Sequence, residues 1–233
     1  MGKPRIVVYT AIFGRDDKLR EPLVAQSPNV QLIAYMLPGE GPLATSAWGV
    51  RPPVWSAMDT MRRLARRHKT QAHALFPDAD YTLWLDGSMQ LKTDVATMVP
   101  GKLKEHIDIC WFRHSQRRCV YREAAACIRL QKDKSDVIRA QMANYRSSGY
   151  PEEHGLFETG ILLRRNTPNV AKFEEAWWGE ISRGSSRDQL SANYACWRLQ
   201  LPYATFDGTV YDNPYANFYP HGRNKPIKGW NTP

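Results

Sequence analysis

Residues 6–14, with the sequence IVVYTAIFG, indicate the fold class of this 233-residue chain. The stretch is apolar without alternation, is rich in β-branched side chains, and ends at a glycine. A run of this kind is typical of a strand that is buried on both faces of a parallel sheet. Residues 81–85, YTLWL, form a second such run and lead directly into Asp86-Gly87-Ser88. Both runs are candidates for strands that helices cover on both sides.

Outward from these two strands, predicted strands and helices alternate. Further strands are predicted at 30–36, 107–112 and 160–164. Helices are predicted at 55–69, at 120–148 with a break near 133–136, at 170–181 and at 188–199. Ser185-Ser186 is a candidate cap for the last helix. The segment 37–54 holds four prolines and three glycines, which predicts a loop.

This alternation predicts an α/β fold, with a Rossmann-like, mostly parallel sheet and helices on both faces. Ligands of such sheets bind beyond the carboxyl ends of the strands. Gly14, Asp86 and Arg113 all fall at predicted strand ends, so we expect the functional site there.

Composition and charge narrow the class of protein. The hydrophobic fraction is 42% and the charged fraction 24%, as in ordinary globular proteins, which excludes a disordered or fibrous chain. No apolar run approaches the ~20 residues that cross a bilayer, and no signal-peptide cleavage site is evident, so a cytoplasmic protein is predicted. The charge of +9 favours polyanionic partners such as nucleic acid, nucleotide phosphates or an anionic membrane surface. Four cysteines without a C-x-x-C pair predict reduced, mostly buried thiols.

The segment Asp86-Gly87-Ser88 is the first candidate for chemistry. An acid at the mouth of a buried strand can hold a divalent metal against a diphosphate, because hard cations prefer oxygen ligands. The same Asp-Gly pair also makes a tight turn, and the residue types alone favour the turn.

Two further groups of residues carry polar chemistry. His221 and Lys225 lie within five residues of each other, which suits a metal–diphosphate group, although a solvated basic tail has the same composition. Glu158 and the pair Asp188-Gln189 can bind sugar hydroxyls, because each hydroxyl needs a donor and an acceptor. Asp188 also fits an ordinary acid at the start of a helix.

Taken together, these features resemble a glycosyltransferase with the A-type fold. Residues 6–197 resemble the glycosyltransferase-like domain family of plant cell-wall and mucilage proteins and of bacteria. The segments that carry the resemblance are YTAIFGRDD, RRLARRHKTQAHALFPDADYTLWLDGSMQLK, RCVYREA, ETGILLRRNT and RDQLS. A looser similarity is to the glycogenin and lipopolysaccharide galactosyltransferase family.

The resemblance implies a donor, a metal and a set of roles. The donor is a nucleoside-diphosphate sugar, with a UDP-sugar favoured, and the metal is Mn²⁺ or Mg²⁺. Metal ligands are assigned to Asp86, Ser88 and His221. Donor contacts are assigned to Thr10, Phe13, Gly14, Lys69, Asp86 and Lys225. Asp188 and Gln189 are expected to orient the donor sugar, and Glu158 to contact the acceptor hydroxyl, in a transfer that retains the anomeric configuration.

The sequence departs from the family patterns at three of these positions. The metal motif reads Asp86-Gly87-Ser88 rather than D-x-D, Glu158 stands where the looser family has Asn, and Gly222 follows His221 directly. Lys69 belongs to a block with Arg66 and His73 that the resemblance places near the donor, whereas the residue types also fit a solvated helix face. The whole chain is interpreted as one domain, residues 1–233, with a nucleotide-sugar half over about 1–115 and an acceptor half with the tail over about 116–233.

Two acceptors and one non-enzymatic function remain open. The acceptor is either a surface glycan or DNA that carries hydroxymethylated bases, as in phage DNA-glucosylating enzymes, which would place the protein in a bacterial or phage-infected cell. A basic, aromatic surface for DNA is predicted from Arg113, Arg117, Arg118, Arg122, Arg164 and Arg165 with Trp111 and Tyr121. The alternative class is a non-catalytic nucleic-acid-binding module that keeps the fold.

Overall fold

The computed structural model describes residues 2–14, 17–40, 47–55 and 60–221. The strands are β1 (Ile6–Ile12), β2 (Val30–Met36), β3 (Gly49–Arg51), β4 (Tyr81–Leu85), β5 (Met89–Leu91), β6 (Ile109–Arg113), β7 (Phe157–Arg165), β8 (Ala204–Thr205) and β9 (Ala216–Phe218). The helices are α1 (Met61–Thr70), α2 (Ala72–Leu75), α3 (Val95–Lys102), α4 (Val120–Arg129), α5 (Ser135–Ser147), α6 (Pro168–Arg183) and α7 (Gln189–Arg198).

A seven-stranded sheet in these residues has the order β3-β2-β1-β4-β7-β6-β8. Strand β7 is antiparallel to β4 and β6, and the other pairs are parallel, which confirms a mostly parallel sheet. Strands β5 and β9 form a separate antiparallel ribbon. Because β4 and β6 both run against β7, the carboxyl ends of β1, β4 and β6 meet at one edge of the sheet, which we call the carboxyl edge.

Apolar layers cover both faces of the sheet. Every residue of β1 is buried, because successive side chains point to opposite faces. Val7 belongs to a core cluster with Phe173 of α6, and Val8 to another with Val95 of α3. Helices therefore cover both faces, as the unalternated runs predicted.

The helical pair α4–α5 packs outside the sheet. Ile138 and Tyr145 of α5 form a third core cluster with Val120 of α4 and Tyr194 of α7. The break predicted near 133–136 is confirmed, since α4 ends at Arg129 and α5 begins at Ser135.

Three local predictions need correction. The segment 37–54 is not loop throughout, because β3 lies within it and pairs with β2. Strand β7 begins at Phe157 rather than at residue 160, because antiparallel pairing with β6 extends it. Ser185 and Ser186 do not cap α7; both hydroxyls donate to Oδ2 of Asp133 at 2.8 Å, and the N-cap position belongs to Asp188.

The cysteines and the helices can be compared with what the sequence predicted. All four cysteines are free and buried, as predicted. Over the described ranges, none of the helices combines the length and the apolar character that a membrane span requires.

Candidate functional site at the carboxyl edge

Asp86 lies at the carboxyl edge, immediately after β4. Its main-chain N–H donates to the carbonyl oxygen of Gly160 at 2.8 Å, which fixes it against β7. Its Oδ1 accepts from Nε1 of Trp84 at 2.6 Å and from Nζ of Lys69 at 3.1 Å. The side chain keeps 29% exposure. Within the described part of the chain, Oδ2 has no hydrogen-bond partner, so one carboxylate oxygen is available to a ligand.

Asp188 is a second carboxylate close to Asp86, at the start of α7. Its side chain is 3% exposed and forms ion pairs with Nζ of Lys69 at 2.6 Å and Nε of Arg66 at 3.2 Å. The Thr159 hydroxyl donates to its Oδ2 at 2.8 Å. Burial alone would raise the pKa of Asp188, but the neighbouring cations outweigh burial and hold this pKa well below its usual range. Asp188 is therefore a permanent anion at neutral pH.

Lys69 joins the two carboxylates. Its side chain is fully buried, and its ammonium group contacts both Asp86 and Asp188. The end of α1 is held in place because the Lys69 carbonyl accepts from the Tyr9 hydroxyl and from NH1 of Arg164, both at 2.9 Å. Arg66, one turn earlier, has its NH1 3.7 Å from Oδ1 of Asp86 and keeps 17% exposure. The two cations thus differ in access: Lys69 is enclosed, and Arg66 reaches solvent.

Glu158 lies on β7 beside a second set of charged residues. Its Oε1 accepts from the main-chain N–H and from the hydroxyl of Ser115, both at 3.1 Å. Burial raises the pKa of Glu158, and the two Ser115 bonds oppose this change. Glu123, which accepts a hydrogen bond from Nε of Arg117, lies 3.6 Å from Nε2 of His114. Burial lowers the pKa of His114 to about 4, so this imidazole is neutral at pH 7.

Gln189 connects α7 to the first residue of β7. Its Nε2 donates to the carbonyl oxygen of Phe157 at 2.9 Å. The residue is half-buried. Gln189 therefore lies between the Asp188 site and the strand that carries Glu158.

The end of β1 carries an aromatic group. The ring of His68 contacts Phe13 at 5.3 Å, Tyr35 at 4.6 Å and Trp55 at 4.8 Å between centroids. Its Nε2 accepts from the main-chain N–H of Val54 at 3.1 Å. Burial lowers the pKa of His68 to about 4, so the ring is neutral. Phe13 is half-buried and is the one ring of this group that the sequence assigned to the donor.

The other two residues assigned to the donor at this strand end differ in access. Thr10 is 2% exposed, and in the described residues its hydroxyl has no partner. Gly14 has φ +101°, a conformation that favours glycine, and its N–H donates to Oε2 of Glu40 at 3.2 Å.

The tail reaches the carboxyl edge through His221. Its Nδ1 lies 2.9 Å from Oδ1 of Asp17. Asp17 in turn lies against the turn after β4, since a methyl group at Gly87 would be 3.1 Å from Oδ2 of Asp17. Ser88 is 4% exposed. In the ranges that the structure covers, no three His, Cys, Asp or Glu side chains come together as a metal-binding group. Lys225 lies outside the described residues.

Sequence analysis did not assign Asp17 or Thr159 to the site. The signal for Asp17 was present in the segment YTAIFGRDD, which ends at this residue. Thr159 precedes Gly160 in the segment ETGILLRRNT, but its role depends on how α7 docks.

The predicted basic, aromatic surface is wrong for four of its eight members. Trp111 is fully buried and Tyr121 is 7% exposed. Arg164 is 1% exposed and pairs with Glu174 at 2.7 Å in the interior. Arg165 pairs with Asp108 before β6, at the edge opposite to Asp86. These four side chains therefore do not belong to a shared exposed surface, whereas the other four members of the prediction are exposed or half-buried, namely Arg113, Arg117, Arg118 and Arg122.

Comparisons with known proteins place the chain in a family. The model of the TOD1/MUCI70 glycosyltransferase-like domain matches residues 55–217. The Arabidopsis thaliana protein named "Probable hexosyltransferase MUCI70" is 30% identical over 139 residues, which cover 56% of this chain and 24% of that protein. The Arabidopsis thaliana protein named "Alkaline ceramidase TOD1" is 23% identical over 221 residues, 82% of this chain and 48% of that protein. The chain thus spans about a quarter of one relative's length and about half of the other's.

A solved structure supports the same fold. Mouse xyloside xylosyltransferase 1 in its apo form superposes with a TM-score of 0.50 at 11% identity, over 88% of this chain and 85% of that one. At this identity the likeness concerns the fold alone. Because the domain model matches well over half of its residues, the chain belongs to the TOD1/MUCI70 glycosyltransferase-like domain family.

Proposed function

We propose that this domain is a metal-dependent glycosyltransferase that moves a sugar from a nucleoside-diphosphate sugar to an acceptor hydroxyl. The observation that carries the proposal is the bridge at the carboxyl edge, where Lys69 and Arg66 join Asp86 to the buried Asp188. Two carboxylates with a cation beside them that partly reaches solvent suit a substrate that brings both a diphosphate and sugar hydroxyls.

The residues around Asp86 could supply some, but not all, of the ligands that a divalent metal needs. Asp86 offers one unpaired carboxylate oxygen, and the Asp17–His221 pair lies beside the adjoining Gly87. Mg²⁺ and similar ions are commonly held by one or two carboxylates together with substrate phosphates and water. We assign the metal to Asp86 and His221, with Asp17 and Ser88 as the remaining candidates. A bound Mn²⁺ or Mg²⁺ would neutralise the charge that develops on the departing diphosphate.

We assign different roles to Arg66 and Lys69, because the two side chains differ in their access to solvent. Arg66 reaches solvent and is the better candidate for a direct diphosphate contact, together with Lys225. Lys69, assigned to the donor from the sequence, is enclosed by two carboxylates, so we propose that it positions Asp86 and Asp188. Asp188 keeps Arg66 oriented, and Gln189 meets a donor-sugar hydroxyl through its carbonyl oxygen.

The acceptor hydroxyl is proposed to meet Glu158. Burial raises the pKa of this carboxyl group, which favours a group that exchanges a proton. Retention of the anomeric configuration is part of the proposal, on the strength of the Asp188-Gln189 motif. Thr10, Phe13 and Gly14 are proposed to face the nucleotide. Residues of about 1–115 then supply most of the donor site, later residues at Gln189 and in the tail complete it, and the acceptor is bound by the half of the chain after about residue 115.

We favour a glycan as the acceptor over hydroxymethylated DNA. Of the arginines expected to contact DNA, Arg164 is buried in an ion pair with Glu174, and Arg165 pairs with Asp108 at the opposite edge of the sheet. A non-catalytic nucleic-acid-binding module is disfavoured for the same reason. A cytoplasmic location remains a prediction from the sequence.

Donor hydrolysis is the direct test. The purified domain is incubated with UDP-, GDP- and ADP-sugars with Mn²⁺, with Mg²⁺ and with EDTA, and nucleoside diphosphate release is measured. We expect metal-dependent release from one donor class, and loss of it in Asp86→Ala with the fold intact. Asp80→Ala is the matched control, because Asp80 precedes β4 at the opposite edge of the sheet.

The same reactions are repeated with oligosaccharides, with hydroxymethylated duplex DNA and with a fluorescent short-chain ceramide. Ceramide is included because one relative is named an alkaline ceramidase. Fatty-acid release without sugar transfer, or full metal-dependent turnover by Asp86→Ala, would contradict the proposed function.

A further inference from the structure

A buried network of charged and hydroxyl groups contacts the main chain of Lys69. Arg164 of β7 and Glu174 of α6 are each 1% exposed, and NH1 of Arg164 lies 2.7 Å from Oε1 of Glu174. The same NH1 donates to the Lys69 carbonyl at 2.9 Å, and NH2 donates to the Tyr9 hydroxyl. The Tyr9 hydroxyl in turn donates to the Lys69 carbonyl at 2.9 Å. Donors from β1 and β7 thus converge on one carbonyl of α1.

Glu174 is also held from the side of α2. Its Oε2 accepts from the main-chain N–H of His73 at 2.8 Å and lies 2.6 Å from Nδ1 of the same residue. Nε2 of His73 lies 3.0 Å from Oε1 of Glu175. The hydrogen bond to Glu174 raises the pKa of His73, which favours the imidazolium, a donor through both ring nitrogens. The two oxygens of Glu174 therefore join β7 to α2.

Stability alone does not explain a charged pair in the interior. Replacing a buried ion pair with apolar residues of similar volume is often neutral or stabilising. Apolar side chains cannot donate hydrogen bonds, whereas a carbonyl in the last turn of a helix has no partner within that helix. Lys69 lies in the last turn of α1. What Arg164 and Tyr9 supply is therefore a fixed attachment for the end of α1.

The residue attached in this way carries the central ammonium group of the candidate site. Nζ of Lys69 lies 2.6 Å from Oδ2 of Asp188 and 3.1 Å from Oδ1 of Asp86. A functional group is held to within about 0.5 Å when its own support is locked by packing and hydrogen bonds. Because the Lys69 side chain is fully buried in a close-packed interior, it has little room to compensate for a shift of α1.

We infer that Arg164, Glu174 and Tyr9 are positioning residues, which act through the main chain of Lys69 to hold its ammonium group between the two carboxylates. His73 belongs to the same network, because it fixes the second oxygen of Glu174. The inference rests on the proposed function for its meaning in catalysis. The position of Lys69 can be measured without donor or metal, so the two can be tested separately.

Arg164→Lys separates charge from geometry. Lysine keeps a positive charge opposite Glu174, but a single ammonium group cannot occupy the positions of both NH1 and NH2. Arg165→Lys is the matched control, because Arg165 also joins a carboxylate to a main-chain carbonyl. Its guanidinium pairs with Asp108 at 3.1 Å and donates to the Leu103 carbonyl at 2.9 Å, at the opposite edge of the sheet.

The test is acetylation of lysine side chains by N-hydroxysuccinimide acetate in the folded full chain, followed by mass spectrometry of its peptides. Lys69 is fully buried and reacts only when α1 opens, whereas the exposed Lys172 serves as an internal reference. Loss of a hydrogen bond to a charged group should raise the rate at Lys69 about tenfold or more in Arg164→Lys. The rate in Arg165→Lys should equal that of the wild type.

Urea unfolding of each variant separates local displacement from global unfolding. Labelling through global unfolding changes by the same factor as the unfolding equilibrium constant, so we expect the increase at Lys69 to exceed that factor. The NMR signal of the Trp84 indole N–H gives a second readout, since this group donates to Oδ1 of Asp86 at 2.6 Å. The signal should move in Arg164→Lys and stay in place in Arg165→Lys.

Tyr9→Phe keeps the test decisive if Arg164→Lys does not fold. It removes one donor to the Lys69 carbonyl and keeps the buried ring. The loss of one net hydrogen bond should raise the labelling rate at Lys69 about threefold to tenfold. Tyr121→Phe is the matched control and should leave this rate unchanged, because the Tyr121 hydroxyl also donates to a main-chain carbonyl, that of Tyr150 at 2.7 Å.

Metal-dependent donor hydrolysis is measured in the same variants. A small misplacement of catalytic groups is costly, so we expect kcat to fall about tenfold or more in Arg164→Lys and to be unchanged in Arg165→Lys. If the wild type hydrolyses no donor, the proposed function fails, while the labelling result still decides whether the network positions Lys69.

Three outcomes would overturn the inference. The first is equal labelling of Lys69 in wild type, Arg164→Lys and Tyr9→Phe. The second is an increase that global unfolding accounts for in full. The third is an equal increase in the control Arg165→Lys, which would make the effect a general consequence of replacing a partly buried arginine.

Discussion

A single buried ammonium group organises the candidate site. Lys69 neutralises two carboxylates that would otherwise repel each other at the carboxyl edge. Lys69→Met leaves Asp188 buried beside fewer cations, and breaking a buried pair in this way costs about 3–5 kcal/mol. We expect a loss of this size in urea unfolding, whereas Lys172→Met, on the exposed face of α6, should change the free energy of unfolding by less than about 0.5 kcal/mol.

A second substitution distinguishes charge from packing. In the double variant Lys69→Met, Asp188→Asn, the buried negative charge is also removed, so part of the stability should return. If the double variant is destabilised by the sum of the single changes, the ion pair is not what Lys69 contributes.

His221 tests whether the tail takes part in metal binding. Its imidazole contacts the Asp17 carboxylate, which lies beside Gly87 in the turn after β4. We therefore expect His221→Ala to weaken Mn²⁺ and nucleotide binding together. Calorimetric titration of Mn²⁺ in the presence of UDP measures both. His106→Asn, at an exposed position with φ 64°, is the control, because asparagine tolerates this conformation. Unchanged affinities in His221→Ala would remove the tail from the site.

Residue types alone indicated which carboxylates matter but not how they are joined. Asp86 was recognisable because it ends an apolar strand. Its link to Asp188 depends on the docking of α1, and the Asp17–His221 contact joins residues 204 positions apart. Neither contact leaves a periodic pattern in the sequence.

At the scale of elements, α1 is attached to β1 and β2 through a neutral histidine. The pKa of His68 is lowered to about 4 by burial, whereas an unfolded chain protonates histidine near pH 6.5. Between these values the unfolded state binds more protons, so the free energy of unfolding falls as the pH falls. The slope from this one group is up to about 1.4 kcal/mol per pH unit.

Replacing His68 should remove this pH dependence. His68→Phe keeps an aromatic ring but leaves the Val54 N–H without its acceptor, so we expect lower stability at pH 7. Between pH 6.5 and 4 its unfolding free energy should decline less steeply than that of the wild type, by up to about 1.4 kcal/mol per pH unit. Urea unfolding at several pH values measures both slopes, and equal slopes would contradict this account.

Element existence was more predictable than element extent. Strand β4 matched its predicted bounds because an unalternated apolar run ends at Asp-Gly. Strand β3 was hidden because proline and glycine surround it and all three of its residues are exposed, as an edge strand allows. The first part of β7 was missed because Glu158 and Thr159 are polar residues that are buried in the strand, and they interrupt the apolar run.

At the scale of the whole molecule, the sequence predicted a mostly parallel sheet but not the place of β7. An antiparallel strand between β4 and β6 requires the chain to return across the sheet after α4 and α5, and no local pattern encodes this return. The insertion matters for function, since it brings Glu158 and Thr159 to the edge that carries Asp86.

The net charge of +9 also acts at this scale, and it bears on the acceptor. A protein that makes 6–10 phosphate contacts loses about 10³–10⁵-fold in DNA affinity between 50 and 200 mM salt. Here Arg117 pairs with Glu123, Arg122 with Glu153 and Arg164 with Glu174. Cations that are already paired release few counterions, so we expect the affinity for hydroxymethylated duplex DNA to fall less than about tenfold over that range.

The dependence of DNA affinity on salt is measured by fluorescence anisotropy. The assay uses the modified duplex and an unmodified duplex, with a matched oligosaccharide as competitor. Each phosphate contact contributes about 0.9 to the slope of log K against log salt. If DNA were the acceptor, Arg117→Ala with Arg118→Ala would lower the slope by roughly two units and weaken binding to all sequences alike. We expect instead no measurable change in slope, together with sugar transfer to the glycan that is insensitive to salt. A thousandfold loss of DNA affinity in the wild type would reverse the preference and make the positive charge part of acceptor binding.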